Sequence, residues 1–208
     1  MHPDIAEWPN RMFYQREQLR PVPLPHQEEP TTSPRVVFIP SKTTNKHNSG
    51  NPDAHSLSDK TNLDDARIVA KELKKVYQQH QKENRNFDPD KTVGVIVPYR
   101  NQIAMIRREI EKLGIPELQA ITIDTVERYQ GSQRDVIIYS FTIQHRYQLN
   151  FLTSNCFEED GIIIDRKLNV ALTRARKQLI LTGNEKILST NPLFKNLIEY
   201  IKEKRLSQ

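Results

Sequence analysis

The feature that most constrains the fold is an apolar run, Val93-Gly94-Val95-Ile96-Val97, with no polar residue on either face. A strand of this kind is typical of a parallel sheet that helices cover on both sides. The turn Pro98-Tyr99-Arg100-Asn101-Gln102 follows it, and then a helical apolar pattern that ends near Gly114. Strand, turn and helix in this order predict one βα unit of an α/β fold.

Four more short apolar runs predict the other strands, at residues 35–40, 120–125, 136–140 and 179–181. Asn62 is expected to cap a helix with an apolar stripe from Ala66 to Tyr77, and a last helix is expected at 192–205. A chain of 208 residues can bury a core of ordinary size. We therefore expect one α/β domain over residues 1–208, with a mostly parallel sheet flanked by helices.

Polar segments separate these elements. Residues 17–35, rich in Pro, Gln and Glu, are expected to form an extended linker. Residues 41–61 are expected to form a long polar surface loop. Residues 144–155 are expected to be a polar, partly aromatic loop, and we predict no chemistry anywhere in 144–165.

Charge and composition narrow the class of protein. A net charge of +5 suits an anionic partner such as nucleic acid, although many proteins without such a partner share it. One cysteine, Cys156, excludes an intrachain disulfide and fits a reducing compartment. No apolar run is long enough to span a membrane, and no signal-peptide pattern is found. We expect a cytoplasmic protein, compatible with nucleoid or nuclear association, without a membrane partner.

The stretch from Arg166 to Asn184 predicts a short helix followed by a buried strand. Arg174 and Arg176 lie two residues apart at the end of that helix, so they are expected to point in different directions. An arginine on a rigid helix presents a planar fork that suits phosphate oxygens. The residues alone also allow a basic helix end that only favours the helix dipole.

The sequence lacks the groups that hold a nucleotide and its metal ion. No Gly-x-x-x-x-Gly-Lys-Ser/Thr pattern occurs, so the chain has no P-loop to hold nucleotide phosphates. Asp64 and Asp65 are interpreted as acids in the first turn of a helix and not as magnesium ligands. No Cys and His spacing indicates zinc. We predict no metal site in this chain, and no ATP hydrolysis by the chain alone.

Residues 168–176, Leu-Asn-Val-Ala-Leu-Thr-Arg-Ala-Arg, resemble motif VI of superfamily-one helicases of the Upf/Dna-type branch. The resemblance implies the second, C-terminal RecA-like domain of such a motor. It implies that Arg174 is the arginine finger that reaches the terminal phosphate of the nucleotide, with Arg176 as a further nucleotide contact. It also implies strand contacts by Asn169 and Thr173.

A second segment resembles motif V of the same family, and the matching residues are Thr125, Tyr129, Gln130, Gly131 and Asp135. The resemblance implies that Thr125 contacts the backbone of a bound strand, and that Gln130 and Gly131 approach the nucleotide. Gln133 is also assigned to the nucleotide site. Close relatives often have an acid at that position, so the family's contact to the nucleotide sugar does not carry over directly to Gln133.

Two shorter segments extend the resemblance. Pro98-Tyr99-Arg100-Asn101-Gln102 is similar to the family's Pro-Tyr-x-x-Gln motif, which implies strand contacts by Pro98 and Tyr99. The residues alone favour a plain turn in which Tyr99 packs. Met1-His2-Pro3 is similar to the end of a Tyr-Arg-Met-His-Pro motif. From this we expect either the tail of a longer protein or a reading frame that starts at an internal Met.

Together the motifs imply the C-terminal motor domain of an ATP-dependent DNA or RNA helicase. ATP with Mg²⁺ would then be held mainly by a first RecA-like domain, in cis or as a separate chain, and single-stranded DNA or RNA would be the other partner. The alternative is a catalytically incomplete nucleic-acid-binding module or a truncated helicase remnant. A small-molecule enzyme on a doubly wound fold is disfavoured, because no catalytic set is visible.

Overall fold

The structure, a computed structural model, describes residues 1–20, 34–43, 60–159 and 162–206. The strands are β1 (Val36–Pro40), β2 (Val93–Val97), β3 (Thr122–Thr125), β4 (Arg134–Ser140), β5 (Cys156–Glu159), β6 (Ile162–Asp165) and β7 (Ala175–Gly183). The α-helices are α1 (Pro3–Met12), α2 (Leu63–Lys82), α3 (Arg100–Glu111), α4 (Pro116–Gln119), α5 (Leu149–Leu152), α6 (Arg166–Thr173), α7 (Glu185–Leu188) and α8 (Pro192–Leu206). Short 3-10 helices span Val126–Tyr129 and Arg146–Gln148.

Strands β1, β7, β4, β2 and β3 form a five-stranded sheet in that order, and each neighbouring pair is parallel. Strands β5 and β6 form a separate antiparallel pair. The predicted α/β class, with a mostly parallel sheet flanked by helices, is confirmed. Of the predicted linker and polar loop, residues 21–33 and 44–59 lie outside the described part of the chain.

Side chains that alternate along the central strands bury both faces of the sheet. In β4, Ile137 joins a core that includes residues of α1, α6 and α8, whereas Ile138 joins a core with α2 and α3. In β2, Ile96 belongs to the first core and Val95 to the second. All four side chains are fully buried. Burial on two sides explains why the run 93–97 contains no polar residue.

A buried hydrogen-bonded pair joins α2 to α3. The Asn62 side chain accepts from the backbone N–H groups of Asp64 and Asp65, which confirms the predicted cap. The amide of Gln102 donates to the Asn62 carbonyl (2.9 Å), and the Asn62 N–H donates to Gln102 Oε1 (2.8 Å). Asn62 and Gln102 are both fully buried. Gln102, the last residue of the turn motif after β2, therefore fixes where α2 begins.

Several predicted boundaries are wrong because strand pairing overrides local patterns. Strand β3 begins at Thr122 and not at 120, since residues 116–119 form the short helix α4. Strand β7 begins at Ala175 and not at 179, so Arg176 lies on a strand and not on the helix of Arg174. The pairing of Arg134 with Ala175 extends β4 and β7 to these positions.

The predicted loop at 144–155 is also wrong. Helical structure runs from Arg146 through Leu152, and the β5–β6 hairpin follows. The Gln148 side-chain oxygen accepts from the backbone N–H groups of Gln144 (2.7 Å) and His145 (2.9 Å). These two bonds satisfy donors that would be unpaired at the start of the helical run, which stabilises a helix that the apolar pattern does not reveal.

Candidate functional site

One group of predicted site residues lies at the amino edge of the sheet, where β4 and β7 begin. Arg134, the first residue of β4, pairs in register with Ala175, the first residue of β7. The Arg134 backbone N–H also donates to the Arg174 carbonyl over 3.1 Å. The sequence-predicted nucleotide contacts adjoin these two strand starts and are Gln130, Gly131, Gln133, Arg174 and Arg176.

A tight turn before β4 exposes Gln130 and Gly131. Gln130 has φ −58° and ψ 130°, Gly131 has φ +81°, and the Ser132 N–H donates to the Tyr129 carbonyl over 3.1 Å. These angles and this bond define a type II turn, whose third residue needs a positive φ. A Cβ atom at Gly131 would meet nothing within 4 Å, so the backbone angle and not crowding favours glycine. Gln130, Gly131 and Gln133 are exposed and therefore accessible to a ligand.

Tyr129 anchors this turn to the sheet. Its side chain is buried, and its hydroxyl donates to the Thr122 carbonyl over 2.8 Å. Burial raises the pKa of the Tyr129 hydroxyl, which stays protonated as a donor. Gly94 in β2 leaves the space for this hydroxyl, because a Cβ atom there would lie 2.2 Å from it. The tyrosine of the motif V segment thus has a structural role that fixes the position of the turn.

Arg174 is the C-cap residue of α6 and is half-buried. Its Nε donates to the Val170 carbonyl and an Nη2 hydrogen points to Thr173 Oγ1, both over 3.3 Å. Among the described residues, no carboxylate forms an ion pair with Arg174. Two long bonds to neutral oxygens orient the guanidinium without neutralising its charge. The group can therefore bind an incoming anion.

Arg176 has a different environment on β7. Its Nη1 lies 3.9 Å from Asp135 Oδ1, while Lys177 Nζ lies 3.0 Å from Asp135 Oδ2. The Arg176 carbonyl accepts from the backbone N–H of His2 (2.8 Å), and His2 is the residue that caps α1. Burial, and then the charge of Arg35, lower the pKa of His2. Two cations, Arg176 and Lys177, thus lie beside one carboxylate, and the excess positive charge at this edge attracts anions.

Two predicted strand contacts, Asn169 and Thr173, lie on α6 near Arg174. The Asn169 amide donates to the Tyr14 hydroxyl over 2.8 Å. The Thr173 hydroxyl donates to the Asn169 carbonyl over 2.9 Å. Thr173 directly precedes Arg174 and so adjoins the amino edge, and the structure does not bring it together with the predicted strand contacts at the ends of β2 and β3.

Those other contacts lie at the opposite, carboxyl edge of the sheet. Thr125 ends β3 and pairs in register with Val97, which directly precedes Pro98. Tyr99 is buried, its hydroxyl bonds the Gln148 side chain, and burial raises its pKa. The Tyr99 ring stacks on Phe151, with centroids 4.8 Å apart and 23° between the planes. The structure therefore brings Pro98, Tyr99 and Thr125 to one edge, with Tyr99 packed in the turn.

Sequence reasoning missed three side chains at the carboxyl edge: Glu127, Phe151 and Lys167. Lys167 Nζ lies 4.3 Å from the centre of the Phe151 ring and 3.5 Å from Glu127 Oε1. The pKa of Glu127 is lowered overall: burial raises it, but its own backbone N–H, the Thr125 hydroxyl and Lys167 together outweigh burial. The sequence signal for Phe151 is its spacing of four residues from Tyr147 in a helical run.

The described residues contain no group of three or more His, Cys, Asp or Glu side chains that could hold a metal ion. Within the same ranges, none of the helices has the length and apolarity that crossing a bilayer requires. The two edges supply hydrogen-bonding groups, positive charge and aromatic surface.

Comparisons with known proteins agree with the motifs. A family model described as AAA domain matches residues 1–186. Regulator of nonsense transcripts 1 from Dictyostelium discoideum is 38% identical over 118 residues, which cover 55% of this chain and 8% of that protein. An uncharacterized ATP-dependent helicase from Methanocaldococcus jannaschii is 28% identical over 213 residues, which cover 97% of this chain and 28% of that protein.

A solved structure, the C-terminal domain of a possible DNA helicase from Lactobacillus plantarum, is 15% identical with a TM-score of 0.38 over 73% of each chain. The chain spans less than a third of the length of the two curated relatives. The family match takes in each of the motifs, from Met1-His2-Pro3 to the segment that contains Arg174. This chain therefore belongs to the AAA domain family, as a C-terminal region of superfamily-one helicases.

Proposed function

We propose that this chain is the C-terminal RecA-like motor domain of an ATP-dependent DNA or RNA helicase, with Arg174 as its arginine finger. The observation that carries the proposal is the state of the Arg174 guanidinium. It is partly exposed, its backbone carbonyl accepts from the Arg134 N–H at the start of β4, and it has no carboxylate partner among the described residues. ATP binds between this edge and a first RecA-like domain, in cis or as a separate chain, because this chain has no P-loop.

Each residue of the amino edge has a distinct part in this proposal. Phosphoryl transfer spreads negative charge over the transferred group, and a guanidinium aimed at those oxygens stabilises that charge. Gln130, Gly131 and Gln133 contact the nucleotide from the exposed turn, and Arg176 adds positive charge beside it. Mg²⁺ belongs to the first domain in this proposal, because the described residues contain no group of three or more His, Cys, Asp or Glu side chains that could hold it.

The carboxyl edge forms part of the groove for single-stranded DNA or RNA. Thr125, Pro98 and Tyr99 contact the strand there, whereas Asn169 and Thr173 lie on α6 near Arg174 and are outside this groove. The seven residues of β4 separate the two edges by about 20 Å at roughly 3.3 Å per residue. The rigid sheet between the edges lets closure on ATP at one edge move the strand contacts at the other.

The test is turnover of a two-domain protein in which a first RecA-like domain with a P-loop joins this chain. Arg174→Ala should lower kcat by roughly 10³- to 10⁵-fold, or about 4–7 kcal/mol of barrier. Arg174→Lys should restore little, since lysine lacks the planar fork. ATP affinity and melting temperature should change far less, because the contact strengthens in the transition state.

Two matched variants distinguish a specific role of Arg174 as an arginine finger from a general effect of positive charge. Arg176→Ala removes a cation two residues away that already lies beside Asp135, and Arg108→Ala removes an exposed cation on α3. Both should lose far less turnover than Arg174→Ala under saturating ATP and single strand. The chain without a first domain serves as the negative control and should show no turnover. Equal small losses in all three variants would mean that Arg174 is only a basic helix end.

The absence of a P-loop supports a second candidate, a nucleic-acid-binding module without catalysis. The two proposals share the strand groove and differ in whether a first domain completes an ATP site. If no first RecA-like domain yields strand-stimulated turnover while the chain still binds single strands, the binding module is the better description.

A further inference from the structure

An exposed aromatic pair lies beside the carboxyl edge, in the segment for which the sequence indicated no chemistry. Tyr147 is 59% exposed and Phe151 is 42% exposed. They are four residues apart in the helical run from Arg146 through Leu152, so both side chains lie on one face of it. Large aromatic side chains exposed together in this way mark a binding surface more often than isolated exposed residues do.

Positive charge adjoins this aromatic pair. Lys167 Nζ lies 4.3 Å from the Phe151 ring centre, and the exposed Arg146 directly precedes Tyr147. Lys167 Nζ forms an ion pair with Glu127 over 3.5 Å, and the Lys167 side chain is 14% exposed while that of Glu127 is 57% exposed. Cations interleaved with aromatic rings are the composition of a surface that binds single-stranded nucleic acid, in which phosphates meet the cations and bases meet the rings.

The pair is also continuous with the turn after β2. The Phe151 ring stacks on Tyr99, and the Tyr99 hydroxyl bonds the side chain of Gln148, which lies in the same helical run as Tyr147. Tyr147 in turn stacks on His145, with centroids 5.5 Å apart and 8° between the planes. Packing of this kind holds the aromatic rings in place before a ligand arrives, which lowers the entropic cost of binding.

We propose that Tyr147 and Phe151 form a base-stacking surface for single-stranded nucleic acid, with Lys167 as the adjacent phosphate contact. The inference rests on the proposed function, since it extends the strand groove from Tyr99 onto the helical run at 146–152. To meet a phosphate, the Lys167 ammonium moves off the Phe151 ring, which uncovers the ring for a base, and the phosphate replaces Glu127 as its partner. Bases then lie against the aromatic pair, and their sequence matters little because each base has an aromatic face.

The test measures binding of fluorescein-labelled oligothymidine and oligouridine to the full 208-residue chain at several salt concentrations. Tyr147→Ala and Phe151→Leu should each weaken binding by about 5- to 150-fold, the range for loss of one stacked base. Leucine keeps the apolar bulk of Phe151 but has no aromatic face. The dependence of affinity on salt should not change in either variant, because neither removes a charge.

Lys167→Gln should instead reduce the slope of affinity against salt by about one phosphate contact. Ile163→Ala is the matched control, because Ile163 is an equally exposed apolar residue (62%) without an aromatic face. The affinity of the Ile163→Ala protein for the oligonucleotides should stay within about twofold of the wild-type value, a change below 0.5 kcal/mol. Melting temperatures of all variants exclude unfolding as the cause of a loss.

Wild-type binding that neither aromatic substitution weakens would overturn the stacking surface and leave the proposed function intact. Loss of association with a first RecA-like domain, at unchanged affinity for oligonucleotides, would also overturn it and identify the pair as a protein-docking surface. Absence of any salt-dependent binding by the wild type, alone and joined to a first domain, would refute the proposed function itself.

Discussion

Replacing Gly94 by alanine is expected to displace Tyr129 and with it the turn that carries Gln130 and Gly131. The new Cβ atom would lie 2.2 Å from the Tyr129 hydroxyl, 3.0 Å from its Cζ and 3.1 Å from Arg134 Cγ. Real Cβ atoms do not approach other atoms to 2.2 Å, so the tyrosine must shift. Its ring is 1% exposed and has no empty space into which to turn.

The expected loss of folding stability in Gly94→Ala combines two effects. Overpacking of a buried site costs about 1–3 kcal/mol. A shift of the hydroxyl also breaks its 2.8 Å bond to the Thr122 carbonyl, which contributes about 0.5–1.5 kcal/mol. We therefore expect Gly94→Ala to lower the free energy of unfolding by about 2–4 kcal/mol.

A double-mutant cycle of Gly94→Ala and Tyr129→Phe, measured by urea unfolding, isolates the contact between residues 94 and 129. Tyr129→Phe removes the atom at 2.2 Å, so Gly94→Ala should cost about 1 kcal/mol or less in that background, a coupling of at least about 1 kcal/mol. The denaturant slope should stay unchanged, since the native state remains compact. If Gly94→Ala costs the same with tyrosine and with phenylalanine at position 129, the glycine does not make room for the hydroxyl, and our explanation of how the turn is anchored is wrong.

Two further predictions concern buried polar contacts. Gln102→Leu leaves the buried backbone N–H of Asn62 without its partner, whereas the Asn62 carbonyl keeps the Ala66 N–H (3.1 Å), so unfolding in urea should require about 1–3 kcal/mol less free energy; a loss below about 0.5 kcal/mol, as at exposed sites, would contradict this role. The pKa of His2 lies below its ordinary 6.5 in the folded chain, first through burial and then through Arg35, so the unfolded state binds more protons as the pH falls below 6.5. The free energy of unfolding should therefore decline from pH 6.5 toward the folded pKa, and it should decline less in His2→Asn, which keeps an acceptor for the Asp4 N–H but does not titrate. Equal pH dependence of the two proteins would show that His2 does not contribute.

Features that depend on neighbours along the chain could be predicted from the sequence. The unbroken apolar run at 93–97 requires cover on both faces, and this alone indicated a parallel sheet between helix layers. Asn62 caps α2 because its side chain reaches N–H groups only two and three residues ahead. Gly131 adopts a positive φ because the turn Tyr129–Ser132 is complete within four residues. The motif residues themselves were also identified from the sequence, and the family match agrees with them.

Features that depend on contacts between distant segments were decided only by the tertiary structure. The helical pattern continues through Ala175, but the bond from the Arg134 N–H to the Arg174 carbonyl ends the helix and places Arg176 on a strand. No local pattern reports such a bond, since its two residues belong to different βα units. The Tyr99–Phe151 stack likewise joins the turn after β2 to a helical run that Gln148 holds in place. The division of the site between two sheet edges follows from strand direction and order, which exist only once the five strands have paired.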